Sequence, residues 1–369
     1  MINRVFTILI ALILLIILSI VSSPRALGQS PVSLLPPIAI PVTPEESAVP
    51  VPELPLPAPV STESAPTPAT PHDICEEIHW VISVRDCQAD GCHDACGCQF
   101  GYEWEDCCGN RGESDIASFR QWLRPGVPVC VMVHGSFVPE ETVYTDCRNT
   151  FLWLRGAAPE RQLQMVFLSW PSDGIFTLNG EIALSSLVPG LDIAILGRRA
   201  EQNGLLLTRL IQMLPTESPV CLIGHSHGAR IVASSLHLMG GGCQQGEGVR
   251  ICDGPTHRLR TILAAAAIDH DWFVPGQRYD HALRATECLL NLRCRHDWAL
   301  LAYPLREAFS RHALGRGGFT DQDLEKLGEH AQRLWELDVT PYTQRGHIWP
   351  KYYEHPELAQ SLVPWVYFD

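Results

Sequence analysis

Lysine is almost missing from this chain. Of 369 residues only Lys326 and Lys351 are lysines, and 27 basic residues stand against 41 acidic ones, for a net charge of −14. That balance speaks against nucleic acid or an anionic membrane surface as the main partner, because both are held through basic patches. Charged residues are scarce altogether, at 18 % against 46 % hydrophobic, so wholesale disorder is excluded. No internal repeat occurs, which rules out a solenoid or propeller. Nor do the 14 cysteines form a single C-x-x-C pair, and structural zinc sites usually have two.

What is present divides the chain into four parts. Met1–Arg4 carries one positive charge, and Val5–Val21 is then an unbroken apolar run with only Thr7 and Ser19 as interruptions. Its 17 residues lie between the hydrophobic region of a signal peptide, roughly 7–15 residues, and a spanning helix of about 20. Residues 1–28 are therefore expected to be an export signal, cleaved near Ala26 and Gly28, or a retained membrane anchor. Either places the remainder outside the cytoplasm, secreted, periplasmic or tethered, where disulfides persist. Residues 29–72 hold 13 of the 29 prolines and form an expected extended, polyproline-like spacer. Residues 73–112 crowd together Cys75, Cys87, Cys92, Cys96, Cys98, Cys107 and Cys108. Interleaved disulfides in a loop-rich knob fit these spacings better than a zinc site with His93. The apolar, β-branched run His79–Val84 is expected to enter a sheet as an early strand.

Residues 113–369 read as one α/β domain. Val127–Val133 and Leu163–Ser169 are short, continuously apolar runs of the kind buried on both faces of a parallel sheet. Helices are expected over Thr142–Leu154 and Leu191–Leu214, so β and α alternate and predict a mostly parallel, doubly wound sheet. Further strands are expected at Pro219–Ile223, Thr261–Ile268, Cys288–Arg293 and Leu334–Val339. The segments Ile175–Pro189 and Phe309–Asp321 are extra to a minimal sheet and are expected to overhang its pocket.

The third of these strands runs into Gly224-His225-Ser226-His227-Gly228 and then an apolar helix, Ala229–Ser234. G-x-S-x-G between strand and helix holds a serine at a strained apex with its hydroxyl exposed, so Ser226 is the expected nucleophile. The oxyanion it generates needs two donors, expected from the backbone N–H groups of His227 and Ser136, with Phe137 next in line. His134 reads as a turn residue, and His225 and His227 as packing or pocket-lining groups. The base is expected after the last strand, at His347. The acid follows the penultimate strand at Asp297, with Asp269 and Asp271, after the strand before, as alternatives. No metal or organic cofactor is needed for such chemistry.

The set VMVHGSF, FLSWPSDG, CLIGHSHGAR, LAAAAIDHDWF, NLRCRHDWAL and a late RGH resembles the bacterial α/β-hydrolase family of unknown function, a branch of the serine-hydrolase superfamily, over roughly Val127–Tyr353. The resemblance implies an α/β-hydrolase fold and a Ser-Asp-His triad, and the match of Asp297-Trp298-Ala299-Leu300 favours Asp297 as the acid. The chain departs from the family at Ala267-Ile268-Asp269, where an alanine-proline-aspartate is typical, and at His227, where methionine is common. The expectation is a serine hydrolase of small-molecule or lipid esters. Its alternative is a non-catalytic cell-surface or envelope binding protein that keeps the fold and uses the Cys-rich segment for partners.

The remaining cysteines divide by context. Cys130 and Cys221 should be core thiols, Cys243 and Cys252 could close the glycine-rich loop between them, and Cys147 could link to the knob. Cys288 and Cys294 lie too far apart along one strand to pair.

Overall fold

A computed structural model describes residues 77–88, 100–173, 177–178, 181–182, 189–243, 257–306 and 310–369. The expected leader (1–28), the spacer (29–72) and most of the Cys-rich stretch lie outside the described residues. Among the described residues no helix is long and apolar enough to cross a membrane.

Nine strands form one sheet: β1 (Ile78–Ser83), β2 (Gly101–Asp106), β3 (Arg111–Ser114), β4 (Val129–Val133), β5 (Gln164–Ser169), β6 (Val220–His225), β7 (Leu259–Ala264), β8 (Cys288–Arg293) and β9 (Leu334–Asp338). Their order is β9-β8-β7-β6-β4-β5-β1-β2-β3. Every pairing from β9 to β1 is parallel, whereas β2 and β3 add antiparallel strands at one edge. The described end of the Cys-rich stretch, including Cys107 and Cys108 between β2 and β3, is thus continuous with the main sheet.

The helices that matter for the site are α1 (Ile116–Trp122), α2 (Glu140–Ala157), α3 (Pro189–Gln212), α4 (His227–Met239), α5 (Trp298–Leu301) and α6 (Pro356–Tyr367). Side-chain alternation on the central strands explains the layering. Val129, Val131 and Val133 of β4 face the core shared with Leu196 and Leu207 of α3 and with Ile231 and Leu236 of α4. Cys130 and Met132 face the other way, into the core of Phe151 from α2 and Leu362 from α6. A strand apolar at every position is what a sheet covered on both faces requires.

Three expectations need correction. The alanine-rich strand leaves the ladder at Ala264, not Ile268, because Ala265 takes a positive φ of 45°. Residues 310–317, expected to overhang the pocket, are partly built into the core. There the Leu314 N–H donates to the Ile268 carbonyl (2.9 Å) and the Gly315 N–H to the Ala266 carbonyl (3.1 Å), while Ala313 and Leu314 are buried. Cys147 is a buried free thiol on the inner face of α2 and has no link to the knob. Burial pushes its pKa well up. Cys130 and Cys221 are buried free thiols paired in register across β4 and β6, and Cys288 and Cys294 are free as well. Cys243 is described, but Cys252 is not, so that loop closure lies outside the described residues.

Leu222, fully buried at the centre of β6, sets the scale of the packing. Leu222→Ala should lower unfolding stability by about 2–5 kcal/mol in urea titration, from lost transfer free energy and the residual cavity. A loss under about 1 kcal/mol would mean the centre of the sheet is not close-packed.

Candidate active site

The site forms at the carboxyl ends of β4, β6, β8 and β9, each of which brings one part of it. Ser226 joins β6 to α4 with φ 54° and ψ −120°, a backbone conformation that L-residues rarely adopt. Neighbours hold it there. The Ser226 N–H donates to the Ala264 carbonyl (2.9 Å), and the Ser226 carbonyl accepts from Ala229 N–H (3.1 Å) and Ala267 N–H (3.2 Å). The early departure of β7 from its ladder is what turns the Ala267 amide toward the elbow. Gly228 packs so closely on β4 that an added Cβ would collide with the Val133 carbonyl oxygen. Gly135 likewise lets the loop after β4 approach the elbow, since a Cβ there would lie 2.9 Å from His225 Nδ1 and 3.0 Å from Ser226 Cβ.

The structure brings Ser226, His347 and Asp297 into one hydrogen-bonded row. His347 Nε2 is 2.9 Å from Ser226 Oγ, and His347 Nδ1 is 2.7 Å from Asp297 Oδ2. A carboxylate only accepts, so His347 Nδ1–H donates to it and Nε2 is left to accept the Ser226 hydroxyl. Asp297 is fully buried, and its other oxygen accepts the Leu300 N–H (3.0 Å) as the N-cap of α5. One carboxylate therefore anchors both the imidazole and the start of a helix. Both ring nitrogens of His347 are engaged. The backbone of Asp269 pairs with Ala313, Asp271 faces Arg311 at 3.8 Å, and the carboxylate beside His347 Nδ1 is that of Asp297.

His227 and Ser136 also meet. Ser136 Oγ is 2.7 Å from His227 Nδ1, so the two residues expected to supply oxyanion donors are tied by a side-chain hydrogen bond. The N–H of Phe137, next in line as a donor, is given to the Ser172 carbonyl (2.8 Å).

Two buried histidines frame the row. His134 donates from Nδ1 to the Gly135 carbonyl (2.8 Å), accepts the Trp170 N–H at Nε2 (3.2 Å), and stacks on the Trp170 ring. His225 donates from Nε2 to the carbonyl of His347 itself (2.7 Å). In the sequence His225 reads as a packing or pocket-lining group, and no pattern marks a side chain that reaches the backbone of a residue 122 positions away. Trp349 extends the clamp, since its Nε1–H donates to Thr150 on α2 (2.7 Å). Burial lowers both histidines to about pKa 3. They stay neutral, as their donor and acceptor roles require.

No family model matches the sequence, and no curated protein matches it, so the resemblance drawn from the motifs stands on those motifs alone. Among solved structures the chain is similar to esterase B from Lactobacillus rhamnosis, at 13 % identity and a TM-score of 0.38, over 79 % of this chain and 84 % of that one. It is also similar to the catalytic core domain of acetyl xylan esterase from Trichoderma reesei, at 12 % identity and a TM-score of 0.28, over 64 % and 91 %. These likenesses are distant. Among the described residues, no group of three or more His, Cys, Asp or Glu side chains could hold a metal ion.

The buried histidines make stability depend on pH. Below about 6.5 the unfolded chain binds a proton on each, while the folded chain does not until about 3, so their contribution is complete above 6.5 and is lost on acidification. Asp146, raised to about 6 by burial, opposes them by one proton between 3.8 and 6. His237, also lowered by burial, adds to the histidine side, so unfolding free energy should fall by at least about 1.4 kcal/mol per pH unit from pH 6 to pH 4. Urea titrations at several pH values check this, and a flat profile over that window would contradict it.

Proposed function

We propose that this protein is a serine hydrolase that cleaves carboxylic esters through Ser226, His347 and Asp297. The observation that carries the reading is the row Ser226 Oγ to His347 Nε2 to His347 Nδ1 to Asp297, at 2.9 and 2.7 Å, with its serine at a backbone-strained strand-to-helix apex. A hydroxyl held against an imidazole that is itself oriented by a buried carboxylate is the arrangement that activates a serine at neutral pH.

In this mechanism Ser226 Oγ attacks the ester carbonyl carbon as His347 Nε2 takes its proton. The carbonyl oxygen becomes an oxyanion held by the His227 and Ser136 N–H groups, with the positive end of α4 behind them. His347 returns the proton to the departing alcohol and leaves an acyl group on Ser226. Water, deprotonated by the same imidazole, then releases the acid and restores the serine. Asp297 keeps His347 in the productive tautomer and stabilises its cation. No step calls for a metal or an organic cofactor.

The location we propose is extracytoplasmic, with the hydrolase held on the proline-rich spacer, either released by cleavage near residue 28 or tethered by Val5–Val21. The apolar leader, the 14 cysteines and the disulfide-bonded state of Cys107 support it.

Fluorophosphonate labelling tests the reading directly. The wild type should label and Ser226→Ala should not, and absence of Ser226-dependent labelling in folded protein sinks the enzyme reading. The acid is tested separately. Asp297→Asn should lower kcat by roughly 10³–10⁴-fold, because the amide stabilises the wrong tautomer. Asp269→Asn and Asp271→Asn should each retain most of the activity, and the reverse pattern would reassign the acid.

A further inference from the structure

The described part of the chain exposes five large apolar side chains, and all but Ile116 flank the site. Trp298 is 68 % exposed, Leu301 61 %, Ile348 59 % and Phe137 51 %. Each of the four is next to the site in sequence or one helical turn from it. Phe137 follows Ser136, Trp298 follows Asp297, Leu301 lies one turn further along α5, and Ile348 follows His347. A single exposed leucine needs no explanation, but exposed apolar groups that converge on one site mark contact with something apolar.

The local structure holds these groups outward. Trp298 and Leu301 are three apart on α5 and share a face. The helix that presents them is capped by the same Asp297 that binds His347. Phe137 sits at a positive φ of 59°, an unfavourable conformation for a bulky residue, fixed by its N–H to the Ser172 carbonyl. Ile348 stands between His347 and the buried Trp349, so the chain there cannot turn it inward without moving one of them. Phe137 comes from the end of β4, the α5 pair from the end of β8 and Ile348 from beyond β9, and the elbow on β6 lies among them in the sheet order.

We propose that Phe137, Trp298, Leu301 and Ile348 form an apolar lip that receives the hydrocarbon chain of the ester, so that the preferred substrates are esters of medium-length or longer acyl chains in place of acetyl esters. The proposal rests on the serine-hydrolase reading above and adds a substrate class to it. Each methylene taken out of water against the lip should raise kcat/KM by about 4-fold, up to the length of the lip.

The test compares kcat/KM for octanoyl and acetyl esters of one chromogenic alcohol, below the concentration at which the octanoyl ester aggregates. The wild type should favour octanoyl. Trp298→Ser combined with Leu301→Ser should lower the octanoyl-to-acetyl ratio by about 10-fold or more, and Ile348→Ser, in the loop beyond β9, should lower it in the same direction. Ile116 provides the control. It is 38 % exposed at the start of α1, beside β3 and five strands from β6, or about 24 Å at the usual strand spacing, and Ile116→Ser should leave the ratio as it was. A ratio unchanged in both lip variants, with the acetyl ester still turned over, overturns the lip and leaves the hydrolase reading standing. A preference for octanoyl ester that appears only with emulsified substrate also overturns it, because the lip would then rest on a lipid surface. No turnover of either ester together with no fluorophosphonate labelling removes both readings.

Discussion

The backbone of Ser226, at φ 54° and ψ −120°, is the constraint from which the rest of the site follows. A serine in that conformation costs about 1–3 kcal/mol, and it persists only where its surroundings over-determine it. Here they do so from three directions. β7 supplies the Ala264 carbonyl and the Ala267 amide, α4 supplies the Ala229 amide, and the absence of side chains at Gly135 and Gly228 lets the β4 loop and the β4 backbone close on the elbow. The hydroxyl is thereby presented at the helix N-terminus with no freedom to retreat into the strand.

The histidines show how burial separates roles that sequence alone leaves alike. His134, His225 and His347 all follow or flank the strand ends that build the site, yet two of them are locked neutral by burial and by hydrogen bonds that use a specific tautomer. His134 braces Trp170 and the loop that carries Ser136. His225 grips the backbone of His347, and the third imidazole is left between a hydroxyl and a carboxylate. His347 is thus held twice, through Asp297 from β8 and through His225 from β6.

Much of this was legible in the residues. The strands around the site announce themselves as continuous apolar runs, and their bounds shift by only a residue or two except at β7. There the tetra-alanine run has no feature that tells an extended alanine from Ala265, whose positive φ is imposed by the elbow beside it. That Ser226, Asp297 and His347 would come together was readable because the fold fixes the order of strand ends along the chain, so position alone could choose His347 among the late histidines. Long-range consequences were not readable. The entry of Ala313–Gly315 into the core has no periodic signature, and the grip of His225 on His347 depends on a loop geometry that neither segment encodes by itself. The apolar lip was hidden for a related reason: Phe137, Trp298, Leu301 and Ile348 look like ordinary core residues until the fold shows that they face water.

The central claim is covalent chemistry at Ser226. Acid quenching during turnover of an octanoyl ester, followed by peptide mass mapping, tests it most directly. An added acyl mass should appear on the peptide that contains Ser226 and be lost on further incubation. Turnover with the acyl group on another residue, or with none retained at any quench time under conditions where deacylation limits the rate, would contradict it.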